Sequence, residues 1–458
     1  MNTTEKVVTR FAPSPTGKAH AGSYRTAMYA WLFARKHSGK FILRIEDTDK
    51  ERNDTESEKD IYEALAWLGL SHDELYIQSK NLTRHQELLN ILIQGGKAYI
   101  SKEEAKDGSG IIKEIIRFKN PNKKIAFIDL VRGEIETDTT DLGDFVIARN
   151  INEPLYHLAV VIDDHDEGVT HVIRAEEHIA NTPRQILIIE ALGWVPPAYA
   201  HIPIVLGSDK QKLSKRKGAL PMTEYAKQGY LRDAVFNCIA MIGWNPADPG
   251  SPQELFTTEE LIERFDFTRV QKSGAVFNIE KLNWYNREYL KKLSFDELFL
   301  YLDQYMPEEL KNKENYSQML KKIAPILLER IEKGTDLTRM YTDGDLVYFF
   351  TQPQVDVKKI IWKGLAEDAD KIGKTKKHLE GVLELITKDT MSNTSEEWKT
   401  ILFPYADANG RGDVLWPTRV ALSGQEKSPD PFVLIGILGK EESIGRLTHA
   451  ISLLSNEA

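Results

Sequence analysis

Short apolar runs and one long amphipathic stretch alternate over the first fifty residues. Residues 7–11 and 41–45 are mostly apolar, with β-branched and aromatic side chains that are typical of buried strands. Residues 20–37 carry helix-forming side chains at helical spacing, and Gly39 follows where that helix would end. This order predicts a strand, a helix and a second strand. Because such a unit joins parallel strands, we expect a parallel sheet with its ligands at the carboxyl ends of the strands.

Similar patterns recur farther along the chain. Strand-like runs occupy residues 158–162, 171–174 and 202–206, and helix-like stretches occupy residues 57–68 and 183–192. Beyond about residue 225, nearly every segment has helical spacing. The chain is therefore expected to consist of an α/β front part and an α-helical back part.

One segment interrupts the α/β pattern. Residues 101–152 are richer in Lys, Asp and β-branched side chains, with a strand-like run at 125–130. We predict an α/β fold with a Rossmann-like parallel sheet, an inserted α/β subdomain and an α-helical C-terminal region. The predicted domains are 1–100 and 153–225 for the halves of the catalytic domain, 101–152 for the insertion, and 226–320 and 321–458 for two helical domains.

Length and composition limit the class of protein. The chain of 458 residues is longer than a single domain usually is, which predicts several domains. Its content of 41% hydrophobic and 28% charged residues is typical of soluble proteins. The start MNTTEKVVTR does not resemble a signal peptide, and no apolar run approaches the roughly 20 residues of a membrane span. We therefore expect a cytoplasmic protein without a membrane partner.

Net charge and cysteine content exclude some kinds of site. A formal charge of −9 argues against sequence-blind binding of nucleic acid, but it leaves room for local basic patches. Cys238 is the only cysteine, so no intramolecular disulfide forms and a zinc site with several thiolates is impossible. Its apolar surroundings predict that Cys238 packs in the core.

The loop APSPTGKAHAGS, residues 12–23, follows the first strand and opens the first helix. Its prolines and Gly17 predict a tight turn, and Gly22 lets the helix start approach a ligand closely. Free N–H groups and the helix dipole there favour phosphate, to which His20 could also donate. The spacing matches neither a Walker loop nor a dinucleotide fingerprint. Alone, such a loop is more often structural than catalytic.

A second loop, DKQKLSKRKG, concentrates positive charge at residues 209–218. Five cations within eight residues repel one another unless an anion lies nearby, and a mobile loop of this kind can clamp a reacting triphosphate. The alternative is a solvated basic loop without function. The five cations are Lys210, Lys212, Lys215, Arg216 and Lys217.

Together the two loops resemble the signatures of class I aminoacyl-tRNA synthetases. His20-Ala21-Gly22-Ser23 stands where that class has HIGH, and Lys212-Leu213-Ser214-Lys215-Arg216 stands where it has KMSKS. More narrowly, TRFAPSPTG, FILRIEDTD, YHLAVVIDDHDEGVTHVIRAEEH and KLSKRKG resemble glutamyl-tRNA synthetases of the bacterial type. The resemblance extends over most of the chain, since RDAVFNCIAMIGWNP and KSGAVFNIEKLNWYN are similar as well.

The resemblance implies a glutamate–tRNA ligase. Such an enzyme activates L-glutamate with ATP as its adenylate and transfers it to the 3′ end of tRNA(Glu), with Mg²⁺ carried by ATP. Protein-bound zinc is not expected, because Tyr99-Ile100-Ser101 lacks the cysteines that bind zinc in some members. A monomer is expected, since the catalytic and anticodon parts share one chain without a heptad seam.

The resemblance also assigns site residues. Guanidinium groups suit the carboxylates of glutamate, a carboxylate suits its ammonium, and hydroxyls fix orientation. A weaker match places Arg330 near a position that reads the anticodon in some relatives. The implied glutamate-binding residues are Arg10, Ser14, Glu46, Tyr156 and Arg174. The implied ATP-binding residues are Ser14, His20, Gly22, Ser214 and Lys215, and catalysis is assigned to Lys215 with Lys212 and His20 assisting.

Several alternatives remain open at this stage. Arg10 and Arg174 could form ion pairs at the sheet end, and Tyr156 could be a core aromatic. Asp47 with Asp49 could form a capping and turn pair or hold a metal. Asp163-Asp164-His165 could be a metal centre, whereas the resemblance implies a structural run that shapes the pocket. The insertion is shorter than is usual in the family, which leaves its contacts with the tRNA acceptor end open. A tRNA-holding or amino-acid-sensing paralogue, a modified-base ligase and a small-molecule nucleotidyltransferase are the competing functions.

Overall fold

The computed structural model describes residues 6–49, 51–104, 112–213, 220–248 and 250–457. The chain forms two compact units, Met1–Tyr289 and Leu290–Ala458. The division falls inside the segment 226–320, for which the sequence predicted a single helical domain, so the finer domain boundaries stay predictions.

The strands all lie in the first unit. They are β1 (Val8–Phe11), β2 (Lys40–Ile45), β3 (Glu74–Ile77), β4 (Ala98–Glu104), β5 (Ile112–Phe118), β6 (Lys124–Asp129), β7 (Gly133–Asp138), β8 (Phe145–Asn150), β9 (Glu153–Pro154), β10 (His171–Ala175), β11 (Ala198–Ile202), β12 (Val205–Leu206) and β13 (Ala275–Val276).

Helices alternate with the strands and then follow them. Those that begin in the first unit are α1 (Ala21–Lys36), α2 (Thr55–Leu68), α3 (Leu82–Gln94), α4 (Tyr156–Asp166), α5 (Thr182–Ala191), α6 (Met222–Lys227), α7 (Arg232–Ala240), α8 (Thr258–Arg264) and α9 (Ile279–Leu290).

The second unit is helical, and its described residues contain no strand. Ser294 and Thr394 each begin a helix with a reciprocal capping box, in which the side chain bonds a backbone N–H and a glutamate returns the contact. The helices are α10 (Phe295–Tyr305), α11 (Glu308–Lys311), α12 (Tyr316–Arg330), α13 (Thr335–Thr342), α14 (Val347–Phe350), α15 (Val357–Ile360), α16 (Lys371–Lys388), α17 (Ser395–Asn409), α18 (Arg411–Ser423), α19 (Pro431–Leu438) and α20 (Lys440–Glu457).

A seven-stranded sheet forms the centre of the first unit, in the order β3-β2-β1-β10-β11-β6-β7. All neighbours are parallel except the hairpin β6–β7. The strand, helix and strand predicted for the first fifty residues are therefore confirmed. Strand order reverses at β1, which lies between β2 and β10, and such a reversal opens a crevice for ligands in parallel sheets.

The insertion contributes to two sheets. Hairpin β6–β7 extends the main sheet, because β6 pairs in parallel with β11. Strands β4, β5, β8 and β9 form a separate antiparallel sheet. Side chains of α3 and α4, such as Leu88 and Leu158, share a core with Phe118 and Phe145 of that sheet. The inserted strands thus acquire helices from outside 101–152, which completes an α/β unit.

The prediction of a strand at 158–162 was wrong, since these residues lie in helix α4. All five side chains are buried, so no polar face interrupts the apolar run. A fully buried helix and a buried strand have the same apolar pattern over such a length. The run 202–206 also differs from the prediction, because Pro203 lacks the N–H that a continuous strand would need between β11 and β12.

Two further sequence predictions were tested by the fold. Cys238 is buried in the core of the first unit, as predicted, and burial raises the pKa of its thiol to about 12. Over the residues that the structure describes, none of the helices combines the length and apolar character needed to cross a membrane.

We expect Gly39→Ala to destabilise the first unit by about 1–3 kcal/mol, because overpacking a tight contact has this effect. A Cβ at residue 39 would lie 2.2 Å from the carbonyl oxygen of Val7. That oxygen accepts the N–H of Lys40 at 2.8 Å, so β1 and β2 would have to separate. Urea unfolding measures the change. Ser38, with φ of 50°, is the control: Ser38→Gly removes backbone strain and should not lower stability.

Candidate active site

The predicted glutamate-binding residues meet where β1, β2 and β10 lie side by side. Arg10 and Arg174 are near the carboxyl ends of β1 and β10, Glu46 follows β2, and Tyr156 begins α4. Burial raises the pKa of the Tyr156 hydroxyl, and the charges of Arg174, Glu46 and Arg10 also act on it. The structure therefore brings these four residues together in one crevice.

A buried arginine that was not predicted organises this crevice. Arg44 of β2 is fully buried, and its Nη1 lies 2.8 Å from Oδ1 of Asp164 and 2.7 Å from Oε2 of Glu167. Its Nη2 lies 3.3 Å from Oε1 of Glu46. Asp164 also accepts a hydrogen bond from Nε of Arg10, at 3.0 Å. One network thus connects two of the predicted binding residues, Arg10 and Glu46.

The network contains three carboxylates and two guanidiniums. Burial opposes ionisation of Asp164, but Arg10 and Arg44 outweigh it, and the pKa of Asp164 lies below its usual range. Burial raises the pKa of Glu46, and it raises that of Glu167 to about 8 against the attraction of Arg44. Burial thus favours a proton on Glu167, and the neighbouring charge of Arg44 opposes it.

Arg174 has a different environment, because neutral groups hold it. Its Nε donates to Nε2 of His201 at 3.1 Å, and its Nη2 donates to Oγ1 of Thr182 at 2.8 Å. Its Cζ lies 5.6 Å from the ring centre of Tyr199. Burial lowers the pKa of Arg174, so an anionic ligand would relieve an unfavourable charge. Among the described residues, Arg10 therefore forms an ion pair, as the alternative interpretation had it, and Arg174 does not.

Two hydroxyl groups were predicted to orient glutamate. The Tyr156 hydroxyl lies 3.3 Å from Nδ1 of His178, and 37% of the residue is exposed, so its interpretation as a core aromatic is wrong. Ser14 is exposed in the loop before α1, where its carbonyl oxygen accepts the N–H of Thr16 at 2.8 Å. Both side chains can thus be reached from solvent.

The histidine of the first loop caps helix α1. Nδ1 of His20 accepts the N–H of Gly22 at 3.1 Å, while its carbonyl oxygen accepts the N–H groups of Ser23 and Tyr24. The expectation of free N–H groups at this helix start is therefore wrong for these three residues. A Cβ on Gly22 would lie 3.0 Å from Cε1 of His20, so the glycine leaves room for the folded-back imidazole.

The described residues on either side of 214–219 show how the second loop is attached. Lys212 bridges to Leu206 and forms an ion pair with Glu177, which follows β10. After the loop, Pro221 forms an isolated backbone bridge with His20. Ser214 and Lys215 lie outside the described residues. Both signature loops are thus anchored at the same edge of the main sheet.

The carboxylates that suggested a metal site bind protein groups instead. Asp163 accepts hydrogen bonds from Gln78 and Asn81 and lies 2.6 Å from Nε2 of His85. Asp47 accepts both the N–H and the hydroxyl of Ser79, and Asp49 pairs with Arg52. Asp49 thus makes local turn contacts, whereas Asp47 binds a serine 32 residues farther along the chain. Within the described ranges, no group of three His, Cys, Asp or Glu side chains is placed to hold a metal.

Comparison with known proteins agrees with this geometry. The family described as "tRNA synthetases class I (E and Q), catalytic domain" matches residues 6–108 and 100–284, and "Anticodon binding domain" matches 288–451. The chain is 37% identical to the glutamate–tRNA ligase of Aquifex aeolicus, over 98% of this chain and 100% of the relative. It is 35% identical to glutamate–tRNA ligase 1 of Caldanaerobacter subterraneus subsp. tengcongensis, over 98% of each.

A solved structure extends the likeness to three dimensions. The crystal structure of a glutamate tRNA ligase from Elizabethkingia meningosepticum in complex with its amino acid has a TM-score of 0.85 and 32% identity, over 98% of this chain and 100% of that one. The chain belongs to the class I glutamate–tRNA ligase family. The predicted family, fold class and enzyme class, an aminoacyl-tRNA ligase, are thereby confirmed.

In this member of the ligase family, the residues that hold the binding side chains in place were not identified from the sequence. Arg44 carried a signal, because a cation inside the apolar run FILRI needs buried partners. Asp164 and Glu167 follow the apolar run of α4. The resemblance implied that the run with Asp164 shapes the pocket, but neither residue was assigned a partner. His201 had no comparable signal, since a lone histidine in a strand is usually a core residue.

Arg330 is the last residue of α12, in the second unit. Its Nη2 lies 2.8 Å from Oδ2 of Asp345. The residue falls within the range that matches the anticodon-binding domain, and its contact with RNA stays a prediction.

We expect Arg44→Met to destabilise the first unit by about 3–5 kcal/mol, since it leaves buried carboxylates without their cation. Replacement of Arg35, whose ion pair with Asp73 is solvent-accessible, is the matched control. Arg35→Met should change the unfolding free energy by no more than about 1 kcal/mol. Urea titration measures both variants, and equal losses would contradict the role given to Arg44.

Glu167→Gln should remove a pH-dependent part of the stability. The pKa of Glu167 rises from 4.5 to about 8 on folding, so the folded state binds the additional proton. This stabilisation is complete below about pH 4.5 and is lost as pH rises through about 8. The difference in unfolding free energy between wild type and variant should fall by up to about 1.4 kcal/mol per pH unit in this window.

The control for this titration is Glu74→Gln. Hydrogen bonds from Lys40 and Tyr76 lower the pKa of Glu74, so its contribution is constant above pH 5. Urea unfolding between pH 5 and 9 should therefore give a flat difference for Glu74→Gln. A flat difference for Glu167→Gln as well would show that Glu167 is ionised throughout.

Proposed function

We propose that the chain activates L-glutamate with ATP to glutamyl-adenylate and transfers the amino acid to the 3′ end of tRNA(Glu). The observation that carries this proposal is the convergence of Arg10, Glu46 and Arg174 at neighbouring strand ends. Two guanidiniums and one carboxylate complement a ligand with two carboxylates and one ammonium. Tyr156 and Ser14 add hydroxyl groups at the exposed side of the crevice.

Charge complementarity also explains how glutamine would be rejected. A neutral amide would leave a desolvated guanidinium in the crevice without an anionic partner, and breaking such a buried pair costs about 3–5 kcal/mol. That exceeds the ~2.7 kcal/mol that separates two ligands a hundredfold in affinity. The unbalanced charge of Arg174, whose partners are neutral, supports this selectivity.

In the first reaction, a carboxylate oxygen of glutamate attacks the α-phosphorus of ATP in line. The bond from that phosphorus to the bridging oxygen breaks, and pyrophosphate leaves with the electron pair. The protein need not supply a covalent nucleophile, so positioning and charge stabilisation carry the catalysis. Mg²⁺ would arrive on the ATP phosphates and neutralise part of their charge.

His20 and the second loop would act on the phosphates. Because Nδ1 of His20 accepts the N–H of Gly22, a neutral imidazole carries its proton on Nε2 and can donate it to a phosphate oxygen. Lys212 would leave its ion pair with Glu177 and bind a phosphate instead. We assign the strongest transition-state contact to Lys215, and Ser214 would also bind ATP. A hydroxyl of the terminal tRNA ribose then attacks the adenylate carbonyl and expels AMP.

We expect Lys215→Ala to lower the rate of glutamate-dependent pyrophosphate exchange by about 10²–10³, the usual effect of removing one transition-state donor. Lys227, an exposed lysine of α6 paired with Glu224, provides the control, and Lys227→Ala should retain the wild-type rate. The second step is tested by charging unmodified tRNA(Glu) and tRNA(Gln) with labelled glutamate. If glutamate is attached to tRNA(Glu) alone, the ligase discriminates between the two tRNAs. If both tRNAs are charged, the ligase is non-discriminating.

Failure of the folded wild-type protein to charge either tRNA would refute the proposal. In that case, a protein that holds tRNA without charging it, or a ligase for a modified base, would explain the sequence better. Wild-type rates for Lys215→Ala would refute the catalytic assignment of the loop while leaving the reaction intact.

A further inference from the structure

Arg174 is held by a chain of buried groups that reaches into the insertion. Asp129 is the last residue of β6, and its Oδ2 lies 2.7 Å from Nδ1 of His201. The same oxygen accepts the backbone N–H of His201 at 2.9 Å. His201 then contacts Arg174 through Nε2 at 3.1 Å. Asp129, His201 and Thr182 are at most 2% exposed, and Arg174 is 6% exposed. None of these contacts depends on a surface side chain.

The hydrogen bonds determine which nitrogen of His201 carries the proton. Burial alone would raise the pKa of Asp129, but His201 and the backbone N–H groups of Arg132 and Val131 lower it overall. Asp129 is therefore a carboxylate and can only accept, so the proton of His201 resides on Nδ1. Burial, followed by the charge of Arg174, lowers the pKa of His201 against the effect of Asp129 and keeps the ring neutral.

Neutral His201 in this tautomer offers a lone pair on Nε2, and Nε–H of Arg174 donates to it. Thr182 accepts from Nη2 of Arg174 at 2.8 Å. The Nε and Nη2 groups form one edge of the planar guanidinium, so this edge is occupied. Among the described residues Nη1 has no hydrogen-bond partner, and the outer edge formed by Nη1 and Nη2 stays open for a bidentate carboxylate.

We propose that His201, held in a single tautomer by Asp129, is a positioning residue that turns the outer edge of Arg174 toward a carboxylate of the substrate. The inference rests on the proposed function and adds the groups that set the orientation of its specificity residue. If the tautomer were reversed, Nε2–H would point at Nε–H of Arg174, and the two donors would force the guanidinium out of place. The orientation of Arg174 thus depends on a carboxylate at the end of β6.

A packing role for His201 is the alternative, because its ring also contacts aromatic side chains. The ring centre lies 5.9 Å from that of Tyr199 and 6.3 Å from that of Phe127. Two substitutions separate packing from positioning. The amide of His201→Asn can still reach Asp129 but leaves no acceptor at the position of Nε2, whereas the longer His201→Gln can place its amide oxygen there.

We expect His201→Asn to raise the KM for glutamate by about 10–100-fold, by analogy with the loss of a group that orients a metal ligand. The KM for ATP should change less than about twofold, because the guanidinium contacts the amino acid. His201→Gln should recover at least about tenfold of the loss, because it restores the acceptor for Nε of Arg174. Pyrophosphate exchange with varied glutamate and varied ATP measures these constants.

His171→Asn serves as the matched control, since His171 is a partly buried histidine at the start of the same strand β10. Nδ1 of His171 contacts the hydroxyl of Thr170. The variant His171→Asn should therefore leave the KM for glutamate unchanged. If His201→Asn does not fold, Thr182→Val tests the same contacts, because valine removes the hydroxyl that accepts from Nη2 of Arg174 and lies 3.1 Å from Nε2 of His201. It should raise the KM for glutamate without affecting that for ATP.

Nitrogen-15 NMR of the histidine rings gives a test that is independent of activity. The spectrum of the wild-type protein should contain one ring protonated on Nδ1 whose signals disappear in His201→Gln. Protonation of that ring on Nε2, or an unchanged KM for glutamate in folded His201→Asn, would overturn the inference. A wild-type protein that shows the expected tautomer but does not activate glutamate would instead refute the proposed function.

Discussion

The burial of one guanidinium constrains the whole crevice. Arg44 cannot lose its proton, so its charge must be met by carboxylates that the fold brings to it. Those carboxylates come from the residue after β2 and from the helix α4 and its end, more than 100 positions away. The helix is thereby fixed against the strand ends. Since Asp164 also binds Arg10, the position of a ligand-facing arginine follows from the same requirement.

The two arginines that face the crevice are prepared for a ligand in opposite ways. The charge of Arg10 is already met by Asp164, so a substrate carboxylate adds to an existing pair. The partners of Arg174 are an imidazole and a hydroxyl, which orient it without neutralising it. The cost of desolvating Arg174 is therefore paid during folding and recovered when an anion binds. Binding at Arg174 therefore depends more strongly on the negative charge of the ligand than binding at Arg10 does.

Sequence patterns predicted the regular parts of this fold and the residues in its recognisable runs. The unit β1-α1-β2 has short apolar runs around an amphipathic helix, and the motifs placed Arg10, Glu46, Tyr156 and Arg174 in one crevice. The helix α4 was mistaken for a strand because its buried residues have no polar face. The contacts of Arg44 with Glu167 and of Arg174 with His201 could not be predicted, because they join residues that are 123 and 27 positions apart in the chain.

The path of the insertion has a consequence for protein engineering. Only the sheet of β4, β5, β8 and β9 is an appendage, whereas the hairpin β6–β7 between them belongs to the catalytic sheet. No single excision can remove the appendage, since its strands flank the hairpin in the chain. A minimal version of the domain would have to keep β6 and join both of its neighbours by new linkers. The insertion 101–152 therefore cannot be deleted as a whole without removing β6 from the main sheet.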